Sequence, residues 1–427
     1  MFGGDKKLGT ESYKGVRDFY PEEQAVQNYI FSVWKKVVES WGYAEYDASI
    51  LEPLELYKSK TNEEIVNEQL YSFKDKGDRE VVLRPEMTPT VARMVAGKFN
   101  EIPMPARWYS IPNLFRYEKP QRGRLREHWQ LNVDMFGSDS PYADAEVIML
   151  ANDIMKKFGA KLDDYEIRIN SRALMDALYK KLEIPEEKSK IISRIIDKKD
   201  KISAETFKEV LEKEVGETAE KLIVILESKD GVFELMSDSI EAKYLADIIS
   251  ILEKHGIQNL KFTPTLTRGF DYYTGIVFEL FGTNSENSRS IFGGGRYDNL
   301  INDLFGKNVS AVGFGWGDVT TRDFLKTHNL LPKLSPITQV WIVVPPETNM
   351  DEVYKIAAEL REKEVKVGVD ISGRKLGDQI ISAEKRGIPH VLVVGTEELK
   401  SKKYKFKNLA TREETSIGLN DVIKCVK

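Results

Sequence analysis

The run Phe115-Arg116-Tyr117-Glu118-Lys119-Pro120-Gln121-Arg122-Gly123-Arg124-Leu125-Arg126, continuing as Glu127-His128-Trp129-Gln130-Leu131-Asn132-Val133-Asp134-Met135-Phe136, sets the architecture of this chain. It reads as two alternating strands around a basic loop. Side chains alternate along a strand, so Gln130, Asn132 and Asp134 point one way and Leu131 and Val133 the other. An amide and a carboxylate on one buried face are costly without a partner or water. Arg116 and Glu118 likewise share a face opposite Phe115 and Tyr117. A guanidinium held on a strand offers a planar fork to two phosphate oxygens. The plainer alternative is a cross-strand charge ladder.

Before this run, a helix begins near Pro21 with Glu22 and Glu23 in its first turn, and Gly42 stops it. Alternating segments follow at Tyr43 to Pro53, Tyr71 to Arg84 and Ala106 to Tyr117. Their spacing predicts a largely antiparallel sheet with helices packed on it. From about Ser171 to Gly256 the apolar residues repeat every three or four positions, which predicts a helical insertion. Strands resume at Tyr272 to Phe281 and Ala311 to Trp316, and Pro332 and Pro336 punctuate a linker. From Val340 onward, strands and helices alternate with short turns, as in a small α/β domain with a mainly parallel sheet. The expected division is therefore 1–170 and 259–330 for one interrupted domain, 171–258 for the insertion and 338–427 for the last domain.

Composition narrows the function class. With 427 residues, 41% hydrophobic and 31% charged, the chain reads as a soluble globular protein of two or three domains. The single cysteine, Cys425, excludes a disulfide framework, and the scattered His128, His255, His328 and His390 show no metal-ligand spacing. No metal site is expected. The absence of an apolar run of ~18 residues or of a signal-peptide core points away from membranes and toward the cytoplasm. The net charge of -5 hides an asymmetry: from Trp341 onward there are 16 Lys+Arg against 14 Asp+Glu, leaving 47 against 54 for the remainder. Lys400, Lys402, Lys403, Lys405 and Lys407 are interleaved with Tyr404 and Phe406. They read either as a solvated edge strand or as a nucleic-acid contact.

Further groups could do chemistry. Leu83-Arg84-Pro85-Glu86-Met87-Thr88 places a carboxylate and a hydroxyl at a strand-to-helix junction, where they could cap the helix or bind an ammonium group. Leu266-Thr267-Arg268-Gly269-Phe270-Asp271-Tyr272-Tyr273 carries an arginine that could pair with Asp271 or stabilise charge on a reacting phosphate. The clusters Gly293-Gly294-Gly295-Arg296 and Gly313-Phe314-Gly315-Trp316-Gly317 lack dinucleotide-loop spacing and suit close approach of a strand to a flat ligand. Taken together, these groups describe a site for a triphosphate beside a small amino acid.

In this order the motifs resemble the histidyl-tRNA synthetase family, class II aminoacyl-tRNA synthetases, along nearly the full length. Trp41-Gly42-Tyr43 through Pro53 resembles the first class motif, a dimer-interface element, and Phe115 through Asp134 the second. The stretches Leu266–Tyr273 and Phe292–Asp298 resemble the two histidine-specific signatures. The resemblance implies an α+β fold: an antiparallel-sheet catalytic domain with a helical insertion, plus a C-terminal α/β anticodon-binding domain. Implied partners are L-histidine, ATP and tRNA(His), with Mg²⁺ accompanying the pyrophosphate, and a homodimer. Glu86, Thr88 and Gln130 would hold the histidine ammonium, and Asp134, Tyr272 and Tyr273 would read its imidazole. Arg116 would grip the ATP α-phosphate with Glu118 and Arg124 nearby, and Arg268 would neutralise charge as the histidine carboxylate attacks. The lysines from Lys400 to Lys407 would contact tRNA.

Two positions depart from the family pattern. Asp134 stands where the commoner form has glutamate, and Thr320 stands where the third class motif ends in the arginine that binds the γ-phosphate. Arg322, two residues on, would point to a different side of a helix. The rival reading is a non-catalytic, histidine-sensing regulatory subunit of ATP phosphoribosyltransferase. Such proteins generally lack the last domain and the arginine found here at 268. A plain RNA-binding protein would leave Arg116, Gln130 and Asp134 without a purpose.

Overall fold

Glu127–Phe136 is a ten-residue strand covered on both sides, at the heart of a nine-stranded sheet. The computed structural model describes all residues except 1–8, 59–67, 200–201, 229, 268–271, 285–288 and 427. The chain divides into two units, Met1–Leu331 and Pro332–Lys427.

In the first unit the sheet runs Ala44–Glu45, Ala106–Ser110, Glu127–Phe136, Ala311–Gly317, Ser290–Arg296, Ile276–Gly282, Tyr165–Ser171 and Leu260–Phe262, with Asn113–Phe115 added against Glu127–Phe136. Its pairings are antiparallel apart from the two outermost, Ala44–Glu45 with Ala106–Ser110 and Tyr165–Ser171 with Leu260–Phe262. Alternation distributes the side chains as expected. Leu131, Val133 and Met135 enter the large apolar core with Trp34, Ile148 and Trp316, while Phe136 turns to a second cluster with Val91, Tyr272 and Tyr297. Burying a large apolar side chain contributes about 1.5–3 kcal/mol, so a one-residue slip of this strand would forfeit several such terms.

The helix Pro21–Ser40 lies over the first core. Pro21 takes the first-turn position, where no N–H is needed, and Ile30, Trp34, Val37 and Val38 form the buried stripe. Pro141–Lys157 is capped by the Ser140 side chain, which accepts from the Tyr142 N–H at 3.3 Å. Between Ser171 and Leu260 the described residues form helices and turns only, including Arg172–Lys181, Ala204–Val215 and Ile240–Lys254. Their apolar stripes, through Leu178, Leu211 and Leu245, are continuous with the sheet's core. A buried cross-tie strengthens this join. Arg296 donates to both Asp144 oxygens at 2.9 and 3.1 Å, and Tyr244 of the last insertion helix donates to Asp144 at 2.5 Å.

Three local expectations need correction. Tyr71 to Arg84 does not join the large sheet; Tyr71–Lys74 and Glu80–Leu83 form a separate three-stranded sheet with Leu51–Pro53. Ala106 to Tyr117 breaks at Pro112, which cannot donate to a ladder and whose carbonyl accepts from the Gln130 N–H at 3.0 Å. The following strand ends at Phe115, so Arg116 leaves from just beyond it, tethered by its N–H to the Arg126 carbonyl at 2.9 Å.

The second unit carries a five-stranded sheet ordered Val367–Val369, Val340–Val343, His390–Val393, Tyr404–Asn408, Glu414–Ile417. The first three strands are parallel and connected by helices Met350–Glu362 and Leu376–Lys385; the last two are antiparallel. The sheet is therefore mixed rather than mainly parallel. Among the described residues no helix is long and apolar enough to cross a membrane.

Candidate active site

The polar face of Glu127–Phe136 looks into a narrow cavity. Gln130, Asn132 and Asp134 line it from that strand, Glu86 and Thr88 from the start of helix Thr88–Gly97, and Tyr272, Tyr273 and Tyr297 from across. All six described members of the expected histidine-binding set thus converge from three stretches of chain. The helix-capping alternative for Glu86 and Thr88 does not hold. Met87 occupies the cap position, and no side chain caps there. Instead the Tyr272 hydroxyl donates to Glu86 at 3.1 Å and lies 3.4 Å from the Thr88 hydroxyl.

Asp134 is 4% exposed, and Tyr297 donates to it at 2.5 Å. Burial pushes its carboxyl up to about 7, with the Tyr297 hydrogen bond pulling the other way. Burial and the neighbouring carboxylates also hold the Tyr272 and Tyr297 hydroxyls well above the usual tyrosine range, so both stay protonated donors. The floor between them is glycine for a steric reason. A Cβ on Gly313 would sit 2.2 Å from the Asp134 Oδ1, and one on Gly315 would sit 2.8 Å from the Gln130 side chain. Gly313 and Gly315 thus make room for the protein's own site residues, and Gly293 and Gly315 line both this cavity and a larger one beside it.

Arg116 and Gln130 also line a second, larger cavity of about 620 Å³. Glu118 and Arg124 line it too, so the expected ATP-binding set shares this space. The Arg116 Nε donates to the Pro85 carbonyl at 2.9 Å, and its nearest Glu118 oxygen is 4.0 Å away. That separation from Glu118 is longer than the about 2.7–2.9 Å of a charge-assisted bond. Arg124 lies 3.5 Å from Glu118 with its side chain 63% exposed. His128 lines the same cavity, and burial, then Arg116 and Arg17, lower it to about 3, leaving a neutral ring at pH 7.

Other expected residues fall elsewhere. Arg268 lies outside the described residues. Thr320 lines the larger cavity, but its hydroxyl donates to the Ile291 carbonyl at 2.7 Å. Arg322 turns to the first helix, donating to the Glu23 carbonyl at 3.0 Å and to Gln27 at 3.2 Å. Arg296 serves the core through Asp144. In the second unit, Lys400 lies on the short helix Thr396–Ser401, Lys402 follows it at a φ of 55°, and Lys403 and Lys405 are exposed. The strand carrying Lys405 and Lys407 is flanked on both sides, so the edge-strand reading is corrected. Tyr404 and Phe406 point into the core, which puts Lys405 on the outer side.

Sequence reasoning assigned no role to Tyr297, and left Asn132 as a face residue only. Tyr297 was visible inside the Phe292–Asp298 signature. Its strand ends at Arg296, however, so alternation could not aim it.

A family model described as Histidyl-tRNA synthetase matches residues 15–317, and one described as Anticodon binding domain matches residues 339–427. A histidine–tRNA ligase of Leptospira biflexa is 43% identical over 99% of this chain and 98% of its own length. One from Pyrococcus horikoshii is 37% identical over 98% of each. The crystal structure of a histidyl-tRNA synthetase from Nostoc superposes with a TM-score of 0.83 at 24% identity, covering 98% of this chain and 99% of that one. Sequence along the whole length, the shape of the fold and a joined pair of polar cavities agree that this chain belongs to the histidyl-tRNA synthetase family.

Proposed function

We infer that the two cavities divide one reaction between them: the narrow one takes histidine and the larger one takes ATP. The chain is an ATP-dependent ligase that activates histidine as its adenylate and passes it to tRNA. The observation that carries the division of labour is that Arg116 and Gln130 line both spaces. An amino acid with its side chain toward Asp134 and its ammonium toward Glu86 would bring its carboxylate to this junction. A carboxylate oxygen attacks the α-phosphorus, the bond to the bridging oxygen breaks, and pyrophosphate leaves with the electron pair. Negative charge on the α-phosphate oxygens then meets the Arg116 guanidinium, already oriented by Pro85. Arg268 is assigned a second share of that charge. Asp134, Tyr297 and Tyr272 would read the imidazole, and an apolar amino acid would leave their polar atoms unpaired, a strong basis for rejection.

Among the described residues there is no group of three or more His, Cys, Asp or Glu that could hold a metal ion. Magnesium suits the site as part of the substrate, since it binds through phosphates with one or two carboxylates. Glu118 and Glu279 line the larger cavity. The anticodon-binding match supports tRNA(His) as the acceptor, and the exposed lysines from Lys400 to Lys405 give its backbone a cationic surface. It also weighs against the regulatory-subunit reading. A homodimer and a cytoplasmic location complete the proposal. The half-exposed Leu51 and Phe73 of the small sheet are suited to an interface. Histidine-dependent exchange of pyrophosphate into ATP tests the reading. Tight histidine binding without exchange would return the regulatory alternative.

A further inference from the structure

We propose that Arg289, together with Arg124, holds the terminal phosphate of the nucleotide in a side cavity beside Thr320. This rests on the larger cavity being the ATP site. A side cavity of about 410 Å³ adjoins that space, and the two share Gly123, Arg124, Ser290, Ile291 and Thr320. A triphosphate entering from Arg116 has to place its outer charges somewhere, and unpaired charge in a cleft is costly.

The other cations near this path are committed. Arg168 is bound to Glu166 and lies 4.1 Å from the Phe281 ring centre. The Arg122 Nε donates to both Asp323 oxygens at 3.0 and 3.1 Å, and Arg322 faces the first helix. Thr320 supplies no cation, and its hydroxyl proton is directed at a carbonyl. Arg289 differs from these. It lines the side cavity, it is exposed, and its guanidinium donates to the backbone carbonyl of Arg122 at 2.8 Å without a carboxylate partner among the described residues. That bond orients the planar fork while leaving its other N–H groups for phosphate oxygens. Its neighbour Ser290 begins the strand Ser290–Arg296, which anchors the root of the side chain. Arg124, which lines the same side cavity, gives the phosphate a second guanidinium.

The test compares nucleotides that differ only in their outer phosphates. Binding of ATP and of AMP is measured by calorimetry for the full chain and for R289A and R289K, alongside histidine-dependent pyrophosphate exchange. A lost charge-assisted bond is worth on the order of tenfold in affinity. R289A should therefore bind ATP about tenfold more weakly while its AMP affinity is unchanged, and R289K should recover part of the loss. In exchange assays the same loss should fall on the KM for ATP and spare the KM for histidine. Adding T320R to R289A, which places a guanidinium at another lining position of the side cavity, should restore ATP affinity. Equal losses for ATP and AMP, or no loss for either, overturn the assignment. If the unaltered chain binds ATP but shows no exchange, the ligase reading fails, and the ATP/AMP comparison still decides the role of Arg289.

Discussion

The two ends of the cleft are built differently. At the proposed histidine end, Asp134, Glu86 and Tyr272 are all less than 9% exposed, and tyrosine hydroxyls already engage both carboxylates. At the proposed phosphate end, Arg124 has a side chain 63% exposed, and that of Arg122 is 53% exposed. Both come from the loop between two strands. The difference suits what each end is proposed to recognise. Imidazole and ammonium must be told apart from similar amino acids, which needs polar groups held rigidly and out of water. A triphosphate is identified largely by charge, and guanidinium groups on loops can supply that with less preorganisation.

The junction should be the most sensitive point, because it belongs to both ends. Arg116→Ala removes the guanidinium proposed to face the α-phosphate and should lower kcat/KM for exchange by roughly 10²–10³. An effect below tenfold would mean that the two cavities do not meet at Arg116. The contrast sharpens with Gly313→Ala, whose new methyl would need the space of the Asp134 carboxylate. The KM for histidine should rise about 10–100-fold while the KM for ATP stays near its original value. Equal effects on both would break the separation of the two ends.

Asp134→Asn probes the cost of the buried acid, and should weaken histidine binding about tenfold. Its effect on stability depends on pH. Because burial lifts the folded-state pKa to about 7, proton binding favours the fold. That contribution is complete below the unfolded value near 4 and is lost as pH rises through 7. The asparagine variant lacks this loss, so its Tm should gain on the parent by a few degrees between pH 5 and pH 8, corresponding to roughly 2–4 kcal/mol. Parallel Tm curves across that range would show that Asp134 is not desolvated. The smallest effect is expected at the open end: Arg124→Ala should raise the KM for ATP a few-fold, and less so in high salt.

Much of the site was legible because strand alternation is a local property. Gln130, Asn132 and Asp134 share a face by spacing alone, and the structure keeps them there. The helices from Pro21 and over the insertion followed equally from periodicity and end signals. What escaped were features decided by distant neighbours. Tyr71 to Arg84 alternates like any strand, yet it pairs in a separate sheet because its partner is Leu51–Pro53. Lys405 and Lys407 looked like an edge because nothing local announces Glu414–Ile417 as a further strand beside them. Helix spacing did separate Arg322 from Thr320, but only packing revealed that Arg322 serves the first helix.

By itself the sequence determined which side chains face together along each element, because backbone geometry imposes periods of 2.0 and 3.6 on any chain. Tertiary structure alone decided that Tyr272 reaches Glu86 across 186 positions and Tyr297 reaches Asp134 across 163. It also decided that Gly313 must stay bare to admit a carboxylate. Such meetings depend on sheet register and on the volumes of neighbouring side chains, and neither quantity is written in any short window of residues.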